Sequence, residues 1–67
     1  MEITRYIYNI GFTVNGVEDV TEFDTPFYTY EYAIVDLINC FLEFIRENNF
    51  ENIEVKYIEY LRAEKEE

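Results

Sequence analysis

Tyr8-Asn9-Ile10-Gly11-Phe12-Thr13-Val14-Asn15-Gly16-Val17 is the stretch whose reading decides the fold. Asn15-Gly16 between two valines is the strongest short-range signal for a two-residue type I′ hairpin, since both residues tolerate positive φ. Upstream the chain alternates from Thr4 to Val14. Tyr6, Tyr8, Ile10, Phe12 and Val14 share one face of a strand, with Arg5, Asn9 and Thr13 on the other. A hairpin in this register sets Val14 opposite Val17, Phe12 opposite Asp19, Ile10 opposite Thr21 and Tyr8 opposite Phe23. Three of those pairs suit a buried face. Asp19 does not, and is expected at the sheet's rim or in a locally shifted register.

Working outward, the second strand runs from Val17 to about Asp24, and Thr25-Pro26 reads as a break. Asp24 or Thr25 is placed to cap a helix, with Pro26 in its first turn. From Thr29 to Glu47 the period becomes helical. Ile34, Leu37, Ile38, Phe41, Phe44 and Ile45 form one broad stripe, flanked by Val35 and Leu42, while Asp36, Cys40, Glu43 and Glu47 lie on the other side. Asn48-Asn49 can end the helix in the left-handed region. From Asn52 alternation returns, with Ile53, Val55, Tyr57 and Leu61 on one face and Lys56, Ile58, Tyr60 and Arg62 on the other. The helix-favouring run Glu59, Leu61, Arg62, Ala63, Glu64 keeps a helix over Tyr57 to Lys65 open. Residues 63–67 read as a charged tail that frays. The expected fold is a single α+β domain over residues 1–67. Its order is ββαβ, with a three-stranded antiparallel sheet in spatial order 2-1-3, one helix on one face and a right-handed crossover.

The 67 residues carry a net charge of −10, and no basic residue lies between Arg5 and Arg46. Strong negative charge is one signature of disorder, but 49% apolar and 19% aromatic content supplies the core that a disordered tail lacks. A core this small often needs help from self-association. Cys40 has no second cysteine to bridge, and no histidine is present to complete a zinc site. Asp19, Glu22 and Asp24 lack the glycine and the spacing of a calcium loop. Neither metal nor cofactor is expected. An enzyme is not expected either, because Cys40 stands between Asp36 and Glu43, which disfavour a thiolate. The start Met1-Glu2-Ile3 shows no basic leader or long apolar run, so the expectation is a cytoplasmic chain that binds neither membranes nor nucleic acid directly.

Three surface features remain as candidates. Glu18, Asp19, Glu22 and Asp24 on the second strand, Glu31 near the helix start, and Asp36, Glu43 and Glu47 on the helix back give an acidic rim. DNA also presents regular rows of negative charge, so such a rim suits a cationic groove. Tyr28, Tyr30 and Tyr32 punctuate the start of the helix, and tyrosine is enriched at recognition surfaces. Ile7, Ile58 and Tyr60 are expected on the sheet face away from the helix, where they would seat a second copy in a homodimer, with the wide helix stripe flanked by Val35 and Leu42 and the edge of the third strand as the other open seams.

In size, acidity, aromatic content and lack of catalytic residues, the chain resembles the small acidic proteins that phages and mobile elements encode against host defences, including DNA mimics and anti-CRISPR inhibitors. That resemblance implies a stoichiometric inhibitor in the host cytoplasm that occupies a basic defence or nucleic-acid-binding protein. Two readings from other classes stay open. One is an oligomeric sponge for a small molecule or nucleotide, with Tyr28, Tyr30, Arg5 or Lys56 converging at a subunit junction. The other is a structural subunit of a larger assembly.

Overall fold

The computed structural model describes residues 3–66. Its elements are β1 (Ile3–Val14), β2 (Val17–Thr25), α1 (Tyr30–Asn48) and β3 (Ile53–Glu66), with the sheet ordered β2-β1-β3. The α+β expectation holds in order, antiparallel pairing and spatial arrangement. Asn15 (φ 52°) and Gly16 (φ 82°) form the turn, and the register places Val14 against Val17 and Phe12 against Asp19 as read from the sequence. Asp19 therefore sits in a regular register. Its carboxylate stays wet because β2 is an edge strand, and Oδ1 accepts the Val20 N–H at 2.8 Å.

The capping expectation fails at the other end of β2. Thr25 is the last residue of that strand and is fully buried, and its hydroxyl accepts the Phe27 N–H at 3.4 Å. The helix starts five residues later, at Tyr30, so Pro26 lies in the connection and not in the first turn. At its C-terminus Asn49 (φ 54°) is left-handed. Its N–H donates to the Arg46 carbonyl, and the Phe50 N–H donates to that of Ile45. That pair of bonds is a Schellman stop, and Phe50 completes it by packing edge-on to Phe44 at 5.7 Å.

Tyr8, Ile10 and Phe12 of β1 face Ala33, Leu37 and Phe41 of α1, and these six form the core. Phe12 meets Phe41 edge-to-face at 5.1 Å, and Phe23 meets Phe44 at 5.7 Å. The helix is not centred on the sheet. Among the described residues its Cα atoms come within 8 Å of those of β2 and of no other strand.

The far face corrects the sequence reading. The pairing of β1 with β3 slips at two bulges, between Ile7 and Tyr8 and between Gly11 and Phe12, leaving Leu61 and Lys56 as the extra residues. A one-residue slip moves every later side chain to the opposite face. Tyr57, read as helix-facing, is thus opposite Gly11 on the far face. Ile58 and Tyr60 stand opposite Ile10 and Tyr8, on the helix face. Of Ile7, Ile58 and Tyr60, only Ile7 points away from the helix. It is 8% exposed without a helix above it. Arg62 and Asp24 flank it in the two neighbouring strands. Arg62 reaches Glu22 (3.3 Å) and Glu64 (2.6 Å), and Arg5 reaches Asp24 (2.8 Å). Exposed pairs of this kind are screened by solvent and add little to stability. Their larger effect is that the aliphatic stems roof an isoleucine. Residues 63–66 do not fray but end β3, with Ala63 opposite Tyr6 and Glu66 opposite Ile3. The helical alternative for Tyr57 to Lys65 is likewise replaced by strand. Glu67, and Met1 and Glu2 of the N-terminal reading, lie outside the described residues.

Candidate functional site

The acidic candidates do not form one surface. Glu18, Asp19, Glu22 and Asp24 lie along β2, whose nine residues include no base. The helix runs back beside this edge. Asp36, Glu43 and Glu47 occupy the flank of α1 turned toward it, about 16 Å from first to last at 1.5 Å per residue. On β2, Glu18, Glu22 and Asp24 stand opposite Thr13, Asn9 and Ile7, on the sheet face away from the helix, and span about 20 Å of strand, while Asp19 stands on the helix face. Acids of both elements act on Cys40, whose thiol is pushed up by burial first and then by the fields of Asp36, Glu43 and Asp24, with Arg5 opposing. That thiol stays protonated at neutral pH.

Two of these acids are already engaged. Glu22 holds Arg62 and Asp24 holds Arg5. Asp36 is half-buried. Glu31 falls outside the flank altogether, because its helical spacing aligns it with Val35 and Ile38.

The tyrosines also divide. Tyr28 and Tyr30 line an open pocket of about 560 Å³ with Tyr6, Tyr8, Thr29 and Tyr60. Tyr6 meets Tyr28 edge-on at 5.7 Å, and Tyr8 meets Tyr60 at 5.4 Å. Tyr32 points elsewhere, against Phe27 at 6.2 Å. Sequence reasoning missed Tyr6 and Tyr8 as pocket residues because their alternation marked them only as core. It missed Tyr60 because the bulges that turn it inward leave no local signature.

The shift of the helix toward β2 opens a third feature on its other side. Ile38, Leu42 and Ile45 of α1 face Ile53, Val55 and Ile58 of β3 across a cleft of about 470 Å³ floored by Ile10 and Phe41. Apolar side chains that the small core leaves uncovered are therefore gathered between helix and β3. Charge follows the same division. From Ile53 to Glu66, β3 sets Lys56, Arg62 and Lys65 against Glu54, Glu59, Glu64 and Glu66.

No family model, curated protein or solved structure matches this chain. Its function is read from these surfaces. Among the described residues no helix is long and apolar enough to cross a membrane, and no cluster of three or more acidic or cysteine side chains is placed to hold a metal ion.

Proposed function

We propose that this chain is a stoichiometric inhibitor whose acidic flank, made by β2 and the adjoining side of α1, occupies a cationic surface of a nucleic-acid-binding or defence protein in the host cytoplasm. The observation that carries this reading is that β2 has four acids and no base, and that the flank of α1 on its side adds Asp36, Glu43 and Glu47. The carboxylates of β2 and of this helix flank stand in for the phosphates that such a surface normally binds. Attraction of this kind raises the association rate and weakens with salt.

The test is charge reversal at positions that carry no fold contacts. Glu18→Lys, Glu43→Lys and Glu47→Lys together avoid Glu22 and Asp24, which hold arginines, and the half-buried Asp36. The triple variant should keep its circular dichroism spectrum and lose binding to a panel of basic nucleic-acid-binding proteins, with the deficit in the association rate. Normal binding by the folded variant would sink the mimicry reading.

The protein also associates with a second copy of itself through the α1–β3 side in this proposal. That side joins the open apolar cleft to β3, whose three bases offset all but one of its four acids, so two chains of net charge −10 approach there with less repulsion than on the β2 side.

A further inference from the structure

The tyrosine pocket lies where α1 begins, on the helix face of the sheet, with Asp24 at the same level on the opposite face, and its chemistry differs from that of the β2 carboxylates. Its walls are tyrosine rings and one threonine, with no charged side chain. The groups acting on the Tyr8 hydroxyl are Tyr60 and Tyr30, and burial is the largest influence, so this phenol remains a proton donor well above neutral pH. Tyr8 is 6% exposed, yet among the described residues its hydroxyl has no hydrogen-bond partner. The ring is buried but the hydroxyl is not, since no buried side-chain oxygen among the described residues lacks a partner, so it is open to a group entering the pocket.

The helix start supplies the second polar element. Thr29, the residue before α1, makes no side-chain capping bond, and the first backbone bond of the helix is Ala33 N–H to the Thr29 carbonyl. The N–H groups of Tyr30, Glu31 and Tyr32 are therefore without an intrahelical acceptor, an arrangement that favours an anionic group. The rings are also placed to be used. Tyr28 is 82%, Tyr30 61% and Tyr60 52% exposed, so their faces are available at the rim while Tyr8 forms the floor.

We propose that this pocket binds a nucleotide, its base stacking on the tyrosine rings and bonding the Tyr8 hydroxyl, its phosphate at the helix start. A base supplies what the walls lack, a flat π-surface with donors and acceptors on its edge. Stacking of a base on one aromatic side chain is a substantial and sequence-tolerant contribution. The volume lies within the ordinary range for small-molecule sites. The net charge of −10 opposes an anion at long range, but exposed charges beyond about 8 Å are largely screened at physiological ionic strength. Local chemistry therefore decides. A lysine or arginine side chain, the other occupant that tyrosine faces attract, is disfavoured by the positive end of the helix dipole at the same place.

The experiment is a titration of the whole chain, followed by tyrosine ring NMR signals and calorimetry. The probes are adenosine, adenosine 5′-monophosphate, inorganic phosphate and arginine amide. Saturable binding of the monophosphate, at least as tight as that of adenosine, is expected. Tyr30→Ala and Tyr28→Ala, both at exposed positions, should each weaken it about tenfold. Tyr8→Phe, which keeps the ring packed, should weaken it about fivefold through the lost hydroxyl. Circular dichroism of each variant excludes unfolding as the cause. Binding of adenosine but not of the monophosphate would overturn the nucleotide assignment in favour of a nucleoside. Binding of phosphate alone or of arginine amide alone, no saturable binding, or unchanged affinity in all three variants would overturn the proposal entirely.

Discussion

Gly11 is the residue on which the far face of the sheet turns. A Cβ at this position would collide with the Tyr57 ring, which lies directly on the strand there. Gly11→Val should therefore cost about 1–3 kcal/mol, the usual range for overpacking, and release Tyr57. Urea denaturation reads the first effect, and the Tyr57 ring signal reads the second. The asparagines make a comparable point. Asn15, Asn49 and Asn52 are the non-glycine residues at positive φ among those described, and Asn52 Nδ2 donates to Asn15 Oδ1 at 2.8 Å, tying the hairpin turn to the start of β3. Cys40 supplies a pH-dependent prediction. Its folded pKa is raised from 9.0 by burial, Asp36, Glu43 and Asp24, with Arg5 the one opposing charge. The folded chain thus holds this proton more tightly than the unfolded chain. Its contribution is fully present below pH 9 and is lost as pH rises further. Stability measured from pH 8 to 11 should fall in wild type from about pH 9, and Cys40→Ala should remove that first part of the decline. An identical profile in both proteins would show that the thiol is not responsible.

Among the elements, β1 contributes most of the buried residues and α1 covers them, while β3 is where the pattern departs from simple alternation. Leu37 is fully buried, and Leu37→Ala should remove about 2–5 kcal/mol. In so small a domain that approaches the whole stability, and a thermal melt reads it directly. In β3 the bulge at Lys56 sets the facing of the residues that follow. Deleting Lys56 would either turn Ile58 and Tyr60 to the far face or break the pairing with β1, so loss of the cooperative melt is expected. Retention of the native melt and amide pattern would mean the bulge is dispensable. The same register changes what a surface test means. Ile58 packs against the core, so Ile58→Lys reports on folding. Leu42, 51% exposed on the wall of the cleft, is the position that reports on association.

At the scale of the whole molecule, charge is distributed as unevenly as apolar surface. β2 carries acids and no base, whereas β3 sets three bases against four acids. Self-repulsion in a chain of net charge −10 works against the compact state, so added sodium chloride should raise the melting temperature. The gain should be smaller in the triple reversal at Glu18, Glu43 and Glu47, which brings the net charge from −10 to −4 because each Glu→Lys change adds two positive charges. Sedimentation at high micromolar concentration should show a dimer for the native chain and a monomer of unchanged stability for Leu42→Glu. A native chain that is monomeric throughout would remove self-association from the proposal.

The sequence by itself determined the order of elements, the hairpin register and the end of the helix. Each is written in residues close together in the chain: Asn15-Gly16 for the turn, the change of period after Thr29 for the helix, and Asn49 for its left-handed stop. It also determined the composition of the acidic flank, since the acids of β2 and of the helix back follow from strand and helix spacing alone. The facing of β3 was decided only by the tertiary structure. Pairing two long strands in a twisted sheet introduced bulges at Lys56 and Leu61, and neither residue type announces a bulge. From that slip follow Tyr57 over Gly11, Ile58 in the core and Tyr60 in the tyrosine pocket. The lean of the helix toward β2 was likewise beyond local patterning. It depends on how Phe12, Phe23, Phe41 and Phe44 fit together across three elements, and it is what leaves the apolar cleft open beside β3.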